Sequence, residues 1–395
     1  MLDPAIELRQ EHAPAVARPA ARHRDGPAAG LSRGAGTVAT TADMVGPDPI
    51  WDARVAASRG GDLVQTSLWA QTRRCLGMRT VRVAVADSGG EPLGGCMMYV
   101  KQVLPGVRVA AVPRGPVLFA DPAVAAAPVV RHVVAEARRR GIRMLVLQVP
   151  DGADALDQAL EAAGFRHGIS SIAPEATVTL DLRLPEEALL AAMSANRRHN
   201  LRRALRSGFT VEQSADMAAF HRLHVLTAAR QGFAPLSLVN LEAQHDLLAP
   251  GGQGALFMAS HGGQPVAGLW LTRFAGTVTS KLVGWDATYD GPPGASEALR
   301  WATVLWAREQ GAHTYDLGGL DRRLAERLEA GEPPGAWCQS SISRFKLGLG
   351  GTPVLLPRAR FAYTNALAGW ALGGLTRRFL ASPTSHRIIQ RWRNG

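Results

Sequence analysis

Three stretches of this sequence concentrate side chains able to do chemistry. One is Ser343-Arg-Phe-Lys-Leu-Gly-Leu-Gly-Gly351, which carries Lys346, one of only three lysines beside Lys101 and Lys281. A lysine at a glycine-rich turn of a chain that otherwise prefers arginine points to a compact ammonium in a tight pocket, where a planar guanidinium does not seat. The plain alternative is an ordinary surface lysine. Another is Ser194-Ala-Asn-Arg-Arg-His-Asn-Leu-Arg-Arg-Ala-Leu-Arg206, with five arginines (197, 198, 202, 203, 206) and no acid. At helical spacing Arg198, Arg202 and Arg206 line one stripe, while Leu201 and Leu205 turn to the core. Such a row repels itself, and phosphates would relieve it by accepting from the guanidinium forks; a solvated helix face is the alternative. The remaining stretch is Pro113-Arg114-Gly115-Pro116 at a strand end. Its prolines and glycine fix the backbone and so aim Arg114 reproducibly.

What is missing narrows the chemistry. There is no HExxH zinc helix and no GxxxxGK[ST] phosphate loop. The paired glycines at 94–95, 251–252, 262–263 and 318–319 read as turns. Cys75, Cys96 and Cys338 are far apart, with no CxxC or Cys/His cluster, so neither a disulfide framework nor a structural zinc site is expected. No metal and no bound cofactor are expected. The N-terminus lacks an apolar secretion core, and no apolar run reaches membrane-span length. The cytoplasm is then the natural compartment. A net charge of +11, from 44 basic against 33 acidic residues, favours polyanionic partners such as nucleic acid, phosphorylated substrates or an acidic membrane surface.

The elements that must position these residues alternate strand and helix, which means an α/β layer architecture. Residues 1–47 are rich in Ala, Arg, Pro and Gly without period, their five arginines balanced by five acids; they read as a disordered extension. Beyond Ile50 a helix runs through Trp69 to Cys75, with strands at 80–86, 94–100 and 107–112. A helix at 124–140 leads into a buried strand at 144–149, and a short helix spans 154–163. The alternation then repeats: a strand at 176–182, one long helix at 185–207, and strands near 255–260, 266–273 and 277–285. A helix at 296–310 precedes a strand at 313–317. Two similar halves, each a mixed sheet flanked by helices, fit better than one large sheet. The tail, 354–395, combines the apolar stretch 366–375 with five arginines from 377 to 393. It either docks on the first domain or lies on the inner, anionic face of a membrane.

Taken in order, these segments resemble the Fem (FemX/FemA/FemB-type) aminoacyltransferase family. The matching pieces are Gln65-Thr-Ser-Leu-Trp69, Ala111-Val-Pro-Arg-Gly-Pro116, and Ala173-Pro-Glu-Ala-Thr177 with Asp181-Leu182. Arg198-His-Asn-Leu-Arg202, Tyr315-Asp-Leu-Gly-Gly319 and Phe345-Lys-Leu-Gly-Leu-Gly350 follow. The resemblance implies two acetyltransferase-like (GNAT) domains, 48–177 and 178–353, the first completed by the tail, without the long helical arm of some members. It implies an aminoacyl-tRNA donor and, as acceptor, the amine of a peptidoglycan precursor such as a lipid- or UDP-linked muropeptide. By position, Lys346 matches the lysine that steadies the tetrahedral oxyanion, and Arg73 a basic residue that helps hold the precursor diphosphate. Ala111 stands where the family has tyrosine, and Phe119 where it often has aspartate. Arg73, Arg114, Arg198 and Arg202 are the candidate binding residues and Lys346 the candidate catalytic one.

Two other readings compete. An acyl-CoA N-acyltransferase shares the fold, but Tyr289-Asp-Gly-Pro-Pro-Gly-Ala-Ser296 lacks the [QR]xxGx[GA] pyrophosphate pattern, and its prolines remove amide donors. A non-enzymatic nucleic-acid-binding protein would explain the charge but not the Phe345-Lys346 segment.

Overall fold

A computed structural model describes residues 30–34, 36–168, 172–332, 338 and 341–364. The chain forms two compact units, one of residues 30–175 with 356–364, the other of residues 176–355. The first contains β1 (Gly30–Gly34), β2 (Thr37–Asp43), α1 (Pro49–Ala57), α2 (Ser67–Cys75), β3 (Arg79–Asp87) and β4 (Pro92–Leu104). Then come β5 (Val107–Pro113), the two-residue β6 (Val117–Leu118), α3 (Pro122–Arg139), β7 (Ile142–Gln148) and α4 (Asp154–Ala162). Alternate valines on β3 (81, 83, 85) are at most 1% exposed, and α3 lays Ala125, Val129, Val130, Val133 and Ala137 over that face. A period of two meets a period of 3.6, which is how a sheet and a helix share a core.

The second unit contains β8 (Ala176–Asp181), α5 (Glu186–Ala192), α6 (Ala195–Arg206), β9 (Phe209–Ser214), α7 (Met217–Gln231) and α8 (Leu238–Leu248). It continues through β10 (Gly254–His261), β11 (Gln264–Phe274), β12 (Thr277–Trp285), α9 (Ala295–Glu309) and β13 (Thr314–Asp316). It ends with α10 (Arg322–Glu329), α11 (Ser341–Gly348) and β14 (Thr352–Leu355). A last strand, β15 (Arg360–Tyr363), pairs antiparallel with β7 in the first unit.

The sheets repeat one topology. In the first, β2-β3-β4-β5 is an antiparallel meander, β7 follows parallel to β5, and β15 closes antiparallel. In the second, β9-β10-β11-β12 is the meander, β13 follows parallel to β12, and β8 closes antiparallel. Helices α3 and α9 are the crossovers that a parallel pair requires. This is the expected α/β class with two mixed sheets. The longest described helix, α3, has 18 residues, so no long arm is present among the described residues.

Two expectations fail. The segment 1–47 is not disordered throughout: 37–43 pairs residue for residue with 81–87, burying Ala39 and Thr41. Composition hid this, because Thr-Val-Ala-Thr-Thr-Ala-Asp is a strand only when a neighbour offers its edge. Residues 1–29 and 35 lie outside the described residues, as does the tail from 365. The helix expected at 185–207 is two helices, because Met193 and Ser194 take extended backbone (ψ 146° and 152°) and Ser194 caps α6. The stretch 209–254, left without elements by the sequence, holds β9, α7 and α8.

Candidate active site

Parallel strands β12 and β13 pair only at 277–279 with 314–316, although β12 runs on to Trp285. Beyond Asp316 only the bonding to β8 on the other edge continues, Leu317 N donating to Val178 O at 2.8 Å and Leu320 N to Ala176 O at 2.8 Å. The two parallel strands therefore diverge and leave a wedge. In the first unit the corresponding pair stays bonded from 108 to 113, extended by Gly115 N to Gln148 O at 3.0 Å. Within the first unit this place is filled: the Gln148 carboxamide bonds Ala173 N (2.8 Å), Pro174 O (3.2 Å) and Pro357 O (2.8 Å).

Lys346 enters at the second unit's wedge. It sits in the last turn of α11, not in the turn the glycines suggested, and the helix ends at Gly348. Its Nζ donates to Gly319 O at 2.7 Å. Gly318 (φ +84°) makes this approach possible: a Cβ there would lie 3.0 Å from Ser280 O and 3.5 Å from Nζ. Below the lysine is a polar layer. Asp316 accepts from Thr177 Oγ1 and from Gly318 N (2.7 Å), which pins the Gly-Gly turn to the sheet. Arg300, 8% exposed, donates to Ser280 Oγ. The Tyr315 hydroxyl meets Thr303 Oγ1 at 2.8 Å, and burial pushes its phenol above the usual range.

The arginine helix α6 abuts this site. Ser194 N donates to Gly348 O at 2.9 Å, and the Arg197 guanidinium lies 4.8 Å from the centroid of the Phe345 ring. Arg197 and Asn200 both donate to Glu297 Oε1, at 2.6 and 3.0 Å, so this 5%-exposed carboxylate in the first turn of α9 is neutralised. Arg198 does not project as the stripe predicted. Its Nη1 reaches back to Ala191 O (2.7 Å) and Met193 O, carbonyls left over at the end of α5. Leu205 is 37% exposed, and the buried face is Leu201 with Ala204. The break at Met193 explains this, since it turns α6 so that Arg202, Arg203 and Arg206 form the exposed basic face.

The N-terminus of α9, where a helix dipole would receive a phosphate, is covered. Gly294 (φ +108°) touches α6 so closely that a Cβ would fall 2.6 Å from Asn200 O and 2.8 Å from Ala204 Cβ. The Glu297 carboxylate, already paired with Arg197, occupies this end, and Pro292-Pro293 just before it carry no amide donors.

Arg114 and Arg73 belong to the first unit. The Pro-Arg-Gly-Pro turn holds Arg114 at φ +52°, its Nη2 donating to Pro174 O at 2.9 Å. Gln65, fully buried, fixes that turn: Nε2 donates to Pro113 O at 2.7 Å and Oε1 accepts from Met97 N at 2.8 Å. A Cβ on Gly115 would collide with the same carboxamide. Arg73 is 4% exposed, its guanidinium 4.4 Å over Trp69, its Nε on Thr72 Oγ1 at 3.2 Å. Burial lowers its pKa to about 10. It is an enclosed cation, not a presented one. Sequence reasoning missed Gln148, Arg300 and Glu297 and gave Gln65 and Asp316 no role beyond their place in a motif, because isolated polar letters in buried runs carry no period. The stretch Gly30-Leu-Ser-Arg-Gly34 has nucleophile-elbow spacing but lies inside a strand antiparallel to β2, without the strand-to-helix turn that exposes a serine. Among the described residues no group of three or more metal-ligating side chains occurs.

Residues 195–326 match the family described as Acetyltransferase (GNAT) domain. The chain is 30% identical over 234 residues to a Lipid II:glycine glycyltransferase of Staphylococcus saprophyticus subsp. saprophyticus, covering 55% of this chain and 56% of that protein. It is 28% identical over 228 residues to the protein of that name from Staphylococcus haemolyticus, covering 54% of each. It thus spans about half the length of the relatives it matches. Among solved structures, FemX superposes with a TM-score of 0.68 at 19% identity, covering 84% of this chain and 99% of that one. A tandem GNAT protein from the clavulanic acid biosynthesis pathway superposes at 0.50 and 13% identity, covering 83% and 99%. These two likenesses establish the fold.

Proposed function

We propose that this chain, Fem-like in sequence and built on two acetyltransferase-type units, transfers an aminoacyl group from aminoacyl-tRNA to the amine of a peptidoglycan precursor. The observation that carries the reading is Lys346 Nζ held against Gly319 O where β12 and β13 part. An aminoacyl ester is already activated, so neither ATP nor a covalent enzyme intermediate is needed. The acceptor nitrogen attacks the ester carbonyl, the C–N bond forms, and negative charge gathers on the carbonyl oxygen. An ammonium fixed beside that oxygen stabilises the charge without reorganising. The C–O bond to the ribose then breaks, and the proton lost by the amine ends on the departing ribose oxygen through the neighbouring ribose hydroxyl. Arg202, with Arg203 and Arg206, offers the exposed cationic face for a phosphate-bearing substrate. Arg73, Arg114 and Arg198 act from inside by holding α2, the Pro-Arg-Gly-Pro turn and the α5–α6 corner in place.

Acyl-CoA is the weaker donor. Its pyrophosphate needs the first-turn amides of the crossover helix, and in α9 that end is packed under Asn200 and Ala204 beside Glu297. The names of the Staphylococcus relatives support lipid II as an acceptor class for testing. The experiment is transfer from each of twenty charged tRNAs to lipid-linked and UDP-linked muropeptides, with and without RNase. Product that forms only from charged tRNA and disappears with RNase supports the reading. Product from acetyl-CoA, untouched by RNase, would replace it.

A further inference from the structure

Helix α7 contains no acidic residue, and one of its faces is left open with aliphatic side chains on it. Phe220, Leu223, His224, Thr227 and Ala228 are buried, and Leu223 packs so closely on β12 that a Cβ at Gly284 would fall 2.7 Å from it. On the opposite face Arg222, Val225, Leu226, Ala229 and Arg230 are exposed at i, i+3, i+4, i+7 and i+8. Val225 is 37% and Leu226 44% exposed, and Val239, at the start of α8, is 72% exposed. Trp285, 38% exposed at the end of β12, lies under Arg230, whose guanidinium is 4.3 Å from its ring centroid. Trp285 is joined to α7 by its N donating to Thr227 Oγ1 at 2.8 Å.

Single exposed aliphatics are ordinary. A stripe of them on an acid-free helix, bounded by arginines and edged by a tryptophan, has the composition of a helix that lies in a lipid interface. Arginine stems cover apolar surface while their heads stay at the level of lipid phosphates, and tryptophan favours the same depth. A phosphate backbone would gain nothing from Val225 and Leu226. A second copy meeting this face across a two-fold axis would set basic stripes against each other. Glu242 and Asp246, exposed at i+3 and i+7 from Val239, share its face of α8 and leave α7 as the acid-free surface. We propose that this face of α7, with Trp285, seats the chain on an anionic lipid surface. The inference goes beyond the proposed chemistry, and its test reads binding rather than turnover.

The full chain is sedimented with vesicles of phosphatidylcholine alone and of phosphatidylcholine with phosphatidylglycerol. Wild type is expected to partition onto the anionic vesicles and, weakly or not at all, onto neutral ones, with binding that falls as salt rises. Val225→Glu with Leu226→Glu, at positions already in water, should lower partitioning at least about tenfold with an unchanged melting temperature. Arg222→Gln with Arg230→Gln should flatten the salt dependence. Any of four results overturns the proposal. These are a double-glutamate variant that binds as wild type does, placing the contact elsewhere such as residues 365–395, and a wild type that ignores both vesicles. The others are self-association without vesicles that the glutamates abolish, and RNA binding that they abolish while vesicle binding stays.

Discussion

Replacing Lys346 by methionine removes one charge and keeps nearly the same stem, so two losses can be worked separately. The stability loss includes the charge-assisted bond to Gly319 O at a half-buried position, worth about 1.5–3 kcal/mol. The catalytic loss is larger, because an oxyanion donor typically contributes about 2.7–4 kcal/mol, or roughly 10²–10³ in kcat. Lys346→Arg refines the test. Nζ lies 3.5 Å from where a Gly318 Cβ would stand, and a guanidinium is broader than an ammonium, so arginine restores charge but not position. Single-turnover transfer from a charged tRNA, with melting curves on the same samples, separates the two quantities. The expectation is a folded methionine variant at least about a hundredfold slower, with arginine recovering little of that. A folded methionine variant within about threefold of wild type, a deficit near 0.6 kcal/mol, refutes the oxyanion role.

Three further outcomes are expected. Deleting residues 1–47 removes β2 with its buried Ala39 and Thr41, and differential scanning fluorimetry should record a drop of more than about 5 °C. Burial pushes the Asp43 carboxyl up, but hydrogen bonds and charges from Arg79 and Arg140 outweigh it and hold the pKa below its usual 3.8. The stability that Asp43 contributes is therefore present above pH 3.8 and lost as pH falls through the lowered value. The melting gap between wild type and Asp43→Asn should be steady near neutrality and close on acidification. Arg198→Ala should cost stability by about 1–3 kcal/mol in urea unfolding, with substrate affinity within twofold. Arg202→Gln with Arg206→Gln should do the reverse, leaving urea unfolding unchanged and making the log–log salt slope of tRNA binding shallower by roughly 1.5–2.

The layer architecture, the twofold repetition and the crossover helices were legible from letters alone, whereas Lys346 was legible as a lone lysine but not as a residue of a helix. Those three rest on local periodicity or on short-range punctuation by glycine and proline, which a single chain segment carries by itself. The arginine cluster was legible as charge but not as geometry. Whether Arg198 projects or folds back depends on the break at Met193 and on which carbonyls α5 leaves open, a matter of two helices meeting. The strand at 37–43 was invisible because its partner, 81–87, supplies the hydrogen bonds that hold it. Gln65, Gln148 and Glu297 gained their roles only when strands and helices distant in sequence closed around them, since a buried polar side chain is defined by the partners that satisfy it. The wedge itself is a tertiary decision: the β12–β13 ladder stops at Asp316 while the bonding to β8 runs on through Leu317 and Leu320, and no local pattern of residues records that.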